Sequence, residues 1–107
     1  MRVGIVSDIH GNLEALQAVL TKCKGEVDEI ICLGDVVGYG ADPCECLDTI
    51  QDHASFICAG NHDWAAGGRI GTGGFNSFAA DAIVWTREQL TPQQLAFLND
   101  LLLTDRR

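Results

Sequence analysis

Glu29-Ile30-Ile31-Cys32-Leu33-Gly34-Asp35-Val36-Val37-Gly38-Tyr39-Gly40 is the stretch on which the fold turns. An apolar run of strand length stops at Gly-Asp, and a glycine-rich loop follows. Two other stretches share this plan. Met1 to Val6 is a short β-branched run ending at Ser7-Asp8, and Ser55 to Ala59 is closed by Gly60-Asn61-His62-Asp63. Each reads as a buried strand followed directly by polar residues.

Helical patterns separate the three. Leu13, Leu16, Val19, Leu20 and Cys23 recur at helical spacing, with Asn12 as the cap and Gly25 as the stop. Asp42-Pro43-Cys44-Glu45 is a helix start in which Asp42 caps, Pro43 takes the first helical position and Glu45 bonds back. Cys46, Leu47 and Ile50 supply its apolar face. Strand, helix, strand, helix, strand with short joints predicts an α/β fold built on a parallel sheet with right-handed crossovers. The C-terminal ends of its strands share one edge. Asp8, Asp35 and Asn61 each follow a strand, one βα unit apart, so three polar clusters converge where open α/β sheets bind ligands.

The second half carries less information. Gly67 to Gly74 holds five glycines and reads as a connector, because no Lys-Ser/Thr follows to make a phosphate loop. Phe78, Ala79, Ala82, Ile83 and Thr86 predict a helix with one buried face. Thr91-Pro92-Gln93-Gln94 starts another, with Leu90 stapled against Leu95 and a stripe of Leu95, Leu98, Leu101 and Leu102. Met1, Trp64 and Trp85 read as core or rim packing. The run Leu101-Leu102-Leu103 predicts an unfinished apolar face and self-association.

Composition narrows the function classes. The 107 residues make one small domain, 47% hydrophobic and 21% charged. Seven Lys and Arg against 15 Asp and Glu leave a net charge of −8, with no basic stripe to neutralise nucleic-acid phosphates. No apolar run reaches the length of a membrane span or a signal peptide. The cysteines (Cys23, Cys32, Cys44, Cys46 and Cys58) are odd in number and lack a C-x-x-C pair, which predicts a reduced, cytoplasmic protein. Cys32 and Cys58 read as core residues. Cys44-Glu45-Cys46 alone does not fill a zinc shell.

The three clusters suggest metal chemistry. In extended chain, residues i and i+2 point the same way, so Asp8 and His10 can bind one cation. Asp35 follows Gly34, which lets the backbone run close to an ion, and its two oxygens can bridge two metals. Asn61 offers a neutral carbonyl oxygen, and His62 beside it can face a substrate as proton donor or phosphate partner. A mixed oxygen and nitrogen shell suits Mn²⁺, Fe, Zn²⁺ or Ni²⁺ rather than Ca²⁺. Alone, each cluster has a bland reading as a solvated turn, a turn cap or a satisfied loop pair. Their order and common position favour the metal site.

Asp8-Ile9-His10-Gly11-Asn12, Gly34-Asp35-Val36-Val37-Gly38-Tyr39-Gly40 and Gly60-Asn61-His62-Asp63 resemble the D-x-H, G-D and G-N-H-[DE] signature of calcineurin-like metallophosphoesterases, and in particular their small bacterial branch. The resemblance extends to Trp85-Thr86-Arg87-Glu88-Gln89-Leu90-Thr91-Pro92. It implies hydrolysis of phosphate mono- or diesters. It implies a first metal held by Asp8, His10 and Asp35, and a second held by Asp35 and Asn61, the two ions clamping phosphate and activating water. His62 would protonate the leaving group or stabilise the charged transition state, with Asp63 orienting it. The implied fold is the first half of an α/β/β/α sandwich, with residues 1–107 its N-terminal portion.

The family pattern continues with a further histidine and a Gly-x-His segment. This chain has only His10, His53 and His62, and His53 precedes the third strand, at the end away from the cluster. The expectation is therefore an incomplete site with little activity alone. A non-catalytic, metal-binding or partner-completed module is the alternative. A phospho-acceptor or nucleotide-binding domain using Asp8 or Asp35 is a third reading, which leaves His10, Asn61 and His62 unexplained.

Overall fold

The computed structural model describes residues 1–101. Elements run in the order β1 (Val3–Val6), α1 (Leu13–Cys23), β2 (Glu29–Cys32), α2 (Pro43–His53), β3 (Phe56–Ile57), α3 (Asn61–Gly67), α4 (Ser77–Gln89) and α5 (Pro92–Asp100). The strands form one parallel sheet in the order β1-β2-β3, so neighbours in the sheet are also successive in the chain. Val6 pairs with Cys32 and Cys32 with Ile57, which fixes the register and sets the three polar loops side by side. The third strand is shorter than Ser55 to Ala59. Backbone bonds from Ser55 N–H to Ile30 O and from Cys58 N–H to Cys32 O continue its contact with β2 on either side.

One face of the sheet is packed. Cys32 is buried with Leu16, Cys46, Leu47 and Ile50 of α1 and α2, and Val6 and Ile57 pack against that cluster. The register puts Val3, Ile5 and Leu33 on the opposite face, where all three are exposed, Ile5 at 64%. Parallel sheets are ordinarily covered on both faces. Here one apolar face lies bare within the described residues.

Helix boundaries follow the capping chemistry with one exception. Asn12 Oδ1 accepts from Ala15 N–H, Asn76 Oδ1 from Ala79 N–H, and Thr91 and Gln94 form a reciprocal capping box. Asp42 holds the cap position of α2, but its side chain makes no cap hydrogen bond. Its backbone, at φ −123° and ψ 58°, departs from the extended geometry in which a cap side chain reaches the first turn. Its N–H is instead drawn to Gly11 O, tying α2 to the first polar loop.

The structure differs from expectation in three places. Phe78 is 85% exposed, because the buried stripe of α4 is Ala79, Ile83 and Thr86, one position round the helix. Met1 is 93% exposed rather than packed, since β1 begins at Val3. The leucine stripe of α5 is not bare. Leu98 and Leu101 are buried with Ala65 and Ala66 of α3, and Trp64 Nε1–H donates to Leu101 O at 2.9 Å. Leu102 and Leu103 lie outside the described residues. Among the described residues the sheet keeps an open apolar surface at Val3, Ile5 and Leu33.

Candidate metal centre

The site is built where the three strands end, and the loops there are stitched to one another. Asp8 N–H donates to Gly34 O, His10 N–H to Asp35 O and Gly11 N–H to Val36 O, at 2.8–3.1 Å. These bonds carry the parallel pairing of β1 and β2 past the strand ends into the loops. Gly34 (φ 106°) sits at the crossing point. A Cβ there would overlap the backbone of Ala59 and Gly60, so its lack of a side chain serves the approach of the third loop rather than of an ion.

Asp8, His10 and Asp35 come together. Each can aim a donor atom so that all lie within 4.8 Å of one another. Two ligands on one ion, each about 2.1 Å away, stand at most ~4.2 Å apart, so a small side-chain adjustment closes the set. The reason for the convergence differs from the extended-chain argument. Asp8, His10 and Asp35 have φ of 55°, 50° and 54°, all in the left-handed region. Asp and His enter that region more readily than most residues, and such backbone concentrates at functional sites.

Hydrogen bonds orient the donors. His10 Nδ1 lies 3.2 Å from Val37 O, an atom that only accepts, so Nδ1 carries the proton and Nε2 presents its lone pair. Nε2 is 3.4 Å from Asp8 Oδ1. Ser7 Oγ–H donates to Asp8 Oδ2 at 2.7 Å. That bond holds the Asp8 carboxyl below its ordinary value. His62 N–H donates to Asp35 Oδ1 at 3.0 Å, placing the third loop on the carboxylate expected to bridge. Asn61, the first residue of α3, is exposed one position before that contact.

Asp63 does something other than orient His62. Its side chain is fully buried and accepts four backbone bonds: Oδ2 from Asp35 N–H (2.7 Å) and Gly60 N–H (2.9 Å), Oδ1 from Val36 N–H (2.9 Å) and Val37 N–H (3.2 Å). Both oxygens are committed to backbone, which leaves none for the imidazole. Burial pushes this carboxyl up to about 6, with the backbone donors pulling the other way. His62 is half-buried, and its Nδ1 is enclosed with no hydrogen-bond partner. Burial lowers its pKa, so the neutral ring prevails at pH 7.

Three further residues join the site without having been assigned a role from sequence. Ser7 stands directly before Asp8. Tyr39 and Phe75 make ring contacts with His62 at centroid distances of 5.0 Å each. A tyrosine between two glycines was the available signal for Tyr39, and Phe75 had none. His53 lies on the last turn of α2, bonded to Thr49 O and apart from the cluster. The Cys44-Glu45-Cys46 segment is not a ligand pair either. Cys46 is in the core with its thiol pushed up to about 12 by burial, and Cys44 Sγ–H donates to Gln89 O.

Among the described residues no helix is long and apolar enough to cross a membrane. The chain is 44% identical over 102 residues to an uncharacterized protein of Methanocaldococcus jannaschii, spanning 94% of this chain and 42% of that one. A metallophosphoesterase from Sphaerobacter thermophilus superposes with a TM-score of 0.78 at 46% identity, over 94% of this chain and 41% of that structure. A hypothetical protein from Pyrococcus horikoshii shares the fold at a TM-score of 0.79 and 22% identity, with 48% of its length covered. The chain thus spans less than half the length of these relatives. The family model for calcineurin-like phosphoesterases matches residues 1–104. With the parallel sheet and the carboxylate–imidazole cluster at its edge, that match establishes that the chain belongs to the calcineurin-like phosphoesterase family.

Proposed function

We propose that this chain carries the first set of ligands of a dinuclear, metal-dependent phosphoesterase centre. The observation that carries the reading is the convergence of Asp8, His10 and Asp35 at the strand ends. The donors fit a divalent ion: two carboxylates and one imidazole whose tautomer is set by Val37 O. Asp8, His10 and Asp35 would hold the first ion, Mn²⁺, Fe, Zn²⁺ or Ni²⁺. Asp35 and Asn61 would hold the second. When bound, such ions neutralise phosphate charge and make water a competent nucleophile.

The cations among the described residues support this division of labour. Arg2 pairs with Glu26, Lys22 and Lys24 stand at the C-terminal end of α1, Arg69 stacks on Trp64, and Arg87 binds the carbonyls of Ala65 and Ala66. None of these is given to the site. In a chain of net charge −8 with no described cation at the site, bound metal would supply the positive charge that faces an anionic ester. His62, its ring centroid 4.7 Å from that of His10, supplies an N–H hydrogen bond to a phosphate oxygen or to the leaving oxygen, and gives up a proton only in the fraction that is protonated. Asp63 holds the loops that present Asp35 and Asn61. The cytoplasm is the proposed location, in keeping with five free cysteines.

Among the described residues the second ion has a shared carboxylate and a neutral amide. That favours a second reading, a partner-completed module with little turnover of its own. Calorimetry with Mn²⁺, Ni²⁺ and Zn²⁺ tests the first ion, and hydrolysis of bis(p-nitrophenyl) phosphate tests turnover. The reading expects weak binding, largely lost in Asp35→Ala, and slow or no hydrolysis until the remainder of a longer relative is supplied. Metal affinity unchanged in Asp35→Ala would overturn it. Fast turnover by the chain alone would show that the second ion is better held than Asp35 and Asn61 suggest.

A further inference from the structure

We propose that Tyr39 determines specificity: its ring forms one wall of the phosphate site and stacks on the planar group of an aryl or heteroaryl phosphoester. This deepens the phosphoesterase reading above and rests on it.

The backbone is arranged to put this ring where it is. Tyr39 has φ 68°, a left-handed conformation that a bulky residue adopts at a cost. Gly38 before it (φ 99°) lies so close to the His62 ring that a Cβ would overlap Nδ1. Gly40 after it donates its N–H to His10 O at 2.6 Å. The turn is therefore pinned against two of the three loops of the site. It delivers the Tyr39 ring to 5.2 Å from the His10 centroid, edge-on at 77°, and to 5.0 Å from that of His62, tilted at 44°. Phe75 closes the other side of His62 at 5.0 Å and 89°.

Packing does not account for the strain. Tyr39 is 54% exposed and takes no part in the buried core of the chain, unlike its neighbours Val36 and Val37. A strained turn that holds an aromatic ring half in solvent, over two imidazoles at the strand ends, is suited to a ligand's planar face. Among the described residues no Lys or Arg is engaged at the site, so an aromatic surface is what they offer beyond the phosphate itself. An aryl ester and a nucleotide base present the same π-face, and they differ in the distance from ring to phosphorus.

The test uses the full 107-residue chain loaded with Zn²⁺, and unreactive probes followed by calorimetry or ligand-observed NMR. Phenylphosphonate carries its ring on phosphorus, adenosine 5′-monophosphate carries it across a ribose, and methylphosphonate carries none. The parent is expected to bind at least one planar probe about fivefold or more tighter than methylphosphonate, in line with one aromatic stacking contact. The favoured probe then tells how far from phosphorus the planar group sits. Tyr39→Phe should keep that ratio. Tyr39→Leu should bring it below about twofold, the ratio being taken against methylphosphonate in the same variant. Equal binding of all three probes by the parent overturns this proposal alone, and needs no variant. So does a ratio that survives in Tyr39→Leu. Zn²⁺-loaded parent that binds no phosphonate at all overturns the phosphoester reading and this proposal with it.

Discussion

Asp63→Asn is the substitution that most directly tests how the site is held. The two side chains have the same size, but an amide offers one acceptor oxygen where the carboxylate offers two. Each carboxylate oxygen accepts a pair of backbone N–H groups, Asp35 with Gly60 on one and Val36 with Val37 on the other. Whichever way the amide turns, its NH₂ faces two N–H donors in a fully buried position. Hydrogen bonds to a charged group contribute about 1.5–3 kcal/mol each, so losing two costs roughly 3–6 kcal/mol. Relief of a buried charge returns part of that. The net expectation is a loss of about 3 kcal/mol, a large share of the ~5–15 kcal/mol that stabilises a domain. At a urea slope of about 1 kcal/mol/M, the midpoint should fall by roughly 3 M. The measurement is urea unfolding at pH 7.5, where a carboxyl raised to about 6 is ionised. Metal affinity should fall with it, because the same bonds hold the Asp35 backbone. A midpoint within ~0.5 M of the parent would refute the argument. Unchanged stability with altered pH dependence at His62 would instead return Asp63 to the orienting role expected from sequence.

Other outcomes follow from single contacts. Gly34→Ala should destabilise by about 2 kcal/mol or more, since it combines φ 106° with overlap against Gly60; a melting temperature equal to the parent's would contradict the close approach. Burial lowers the pKa of His62 below 6.5, so the folded chain resists protonation that the unfolded chain accepts. Stability from this group is present above pH 6.5 and lost as the pH falls through the lower folded value; His62→Gln should flatten that slope in pH-dependent unfolding, and an unaltered slope counts against it. Ser7→Ala should leave the fold intact and raise the pKa of Asp8, read by NMR titration of its side chain without metal. Self-association, if it occurs, should respond to the bare sheet face; Ile5→Glu is expected to disperse it in sedimentation, and indifference would return attention to the C-terminal leucines.

The parallel sheet, its order and the loops that carry the ligands were legible because period, caps and strand-closing polar residues agreed along the first sixty residues. Asn12 and Thr91 cap as their sequence context implies. What was not legible is three-dimensional. The left-handed backbone at Asp8, His10 and Asp35 has no signature in residue type beyond a mild preference, and it replaced the extended geometry inferred for the Asp-x-His pair. Asp63 looked like a partner for His62 because the two are adjacent. Chain direction at the start of α3 turns its carboxylate inward, onto backbone donors 26–28 residues away. The α5 stripe looked unfinished because sequence does not reveal that α3, a short helix rich in alanine, lies flat against it.

The sheet order β1-β2-β3 also has a consequence for how the protein is made. Strands are laid down in the order in which the ribosome releases them, so none has to be threaded between two others. Synthesis proceeds at roughly 5–20 residues per second, which separates Asp8 from Asp35 by a few seconds. Once Asp35 has cleared the exit tunnel, Asp8, His10 and Asp35 are all in the nascent chain, while α4 and α5 are still unmade. If that trio takes a cation, the ion is available as a folding partner before most of the helical half exists. Metal starvation would then act on the yield of folded protein during translation, and adding the ion afterwards would restore less than supplying it from the start.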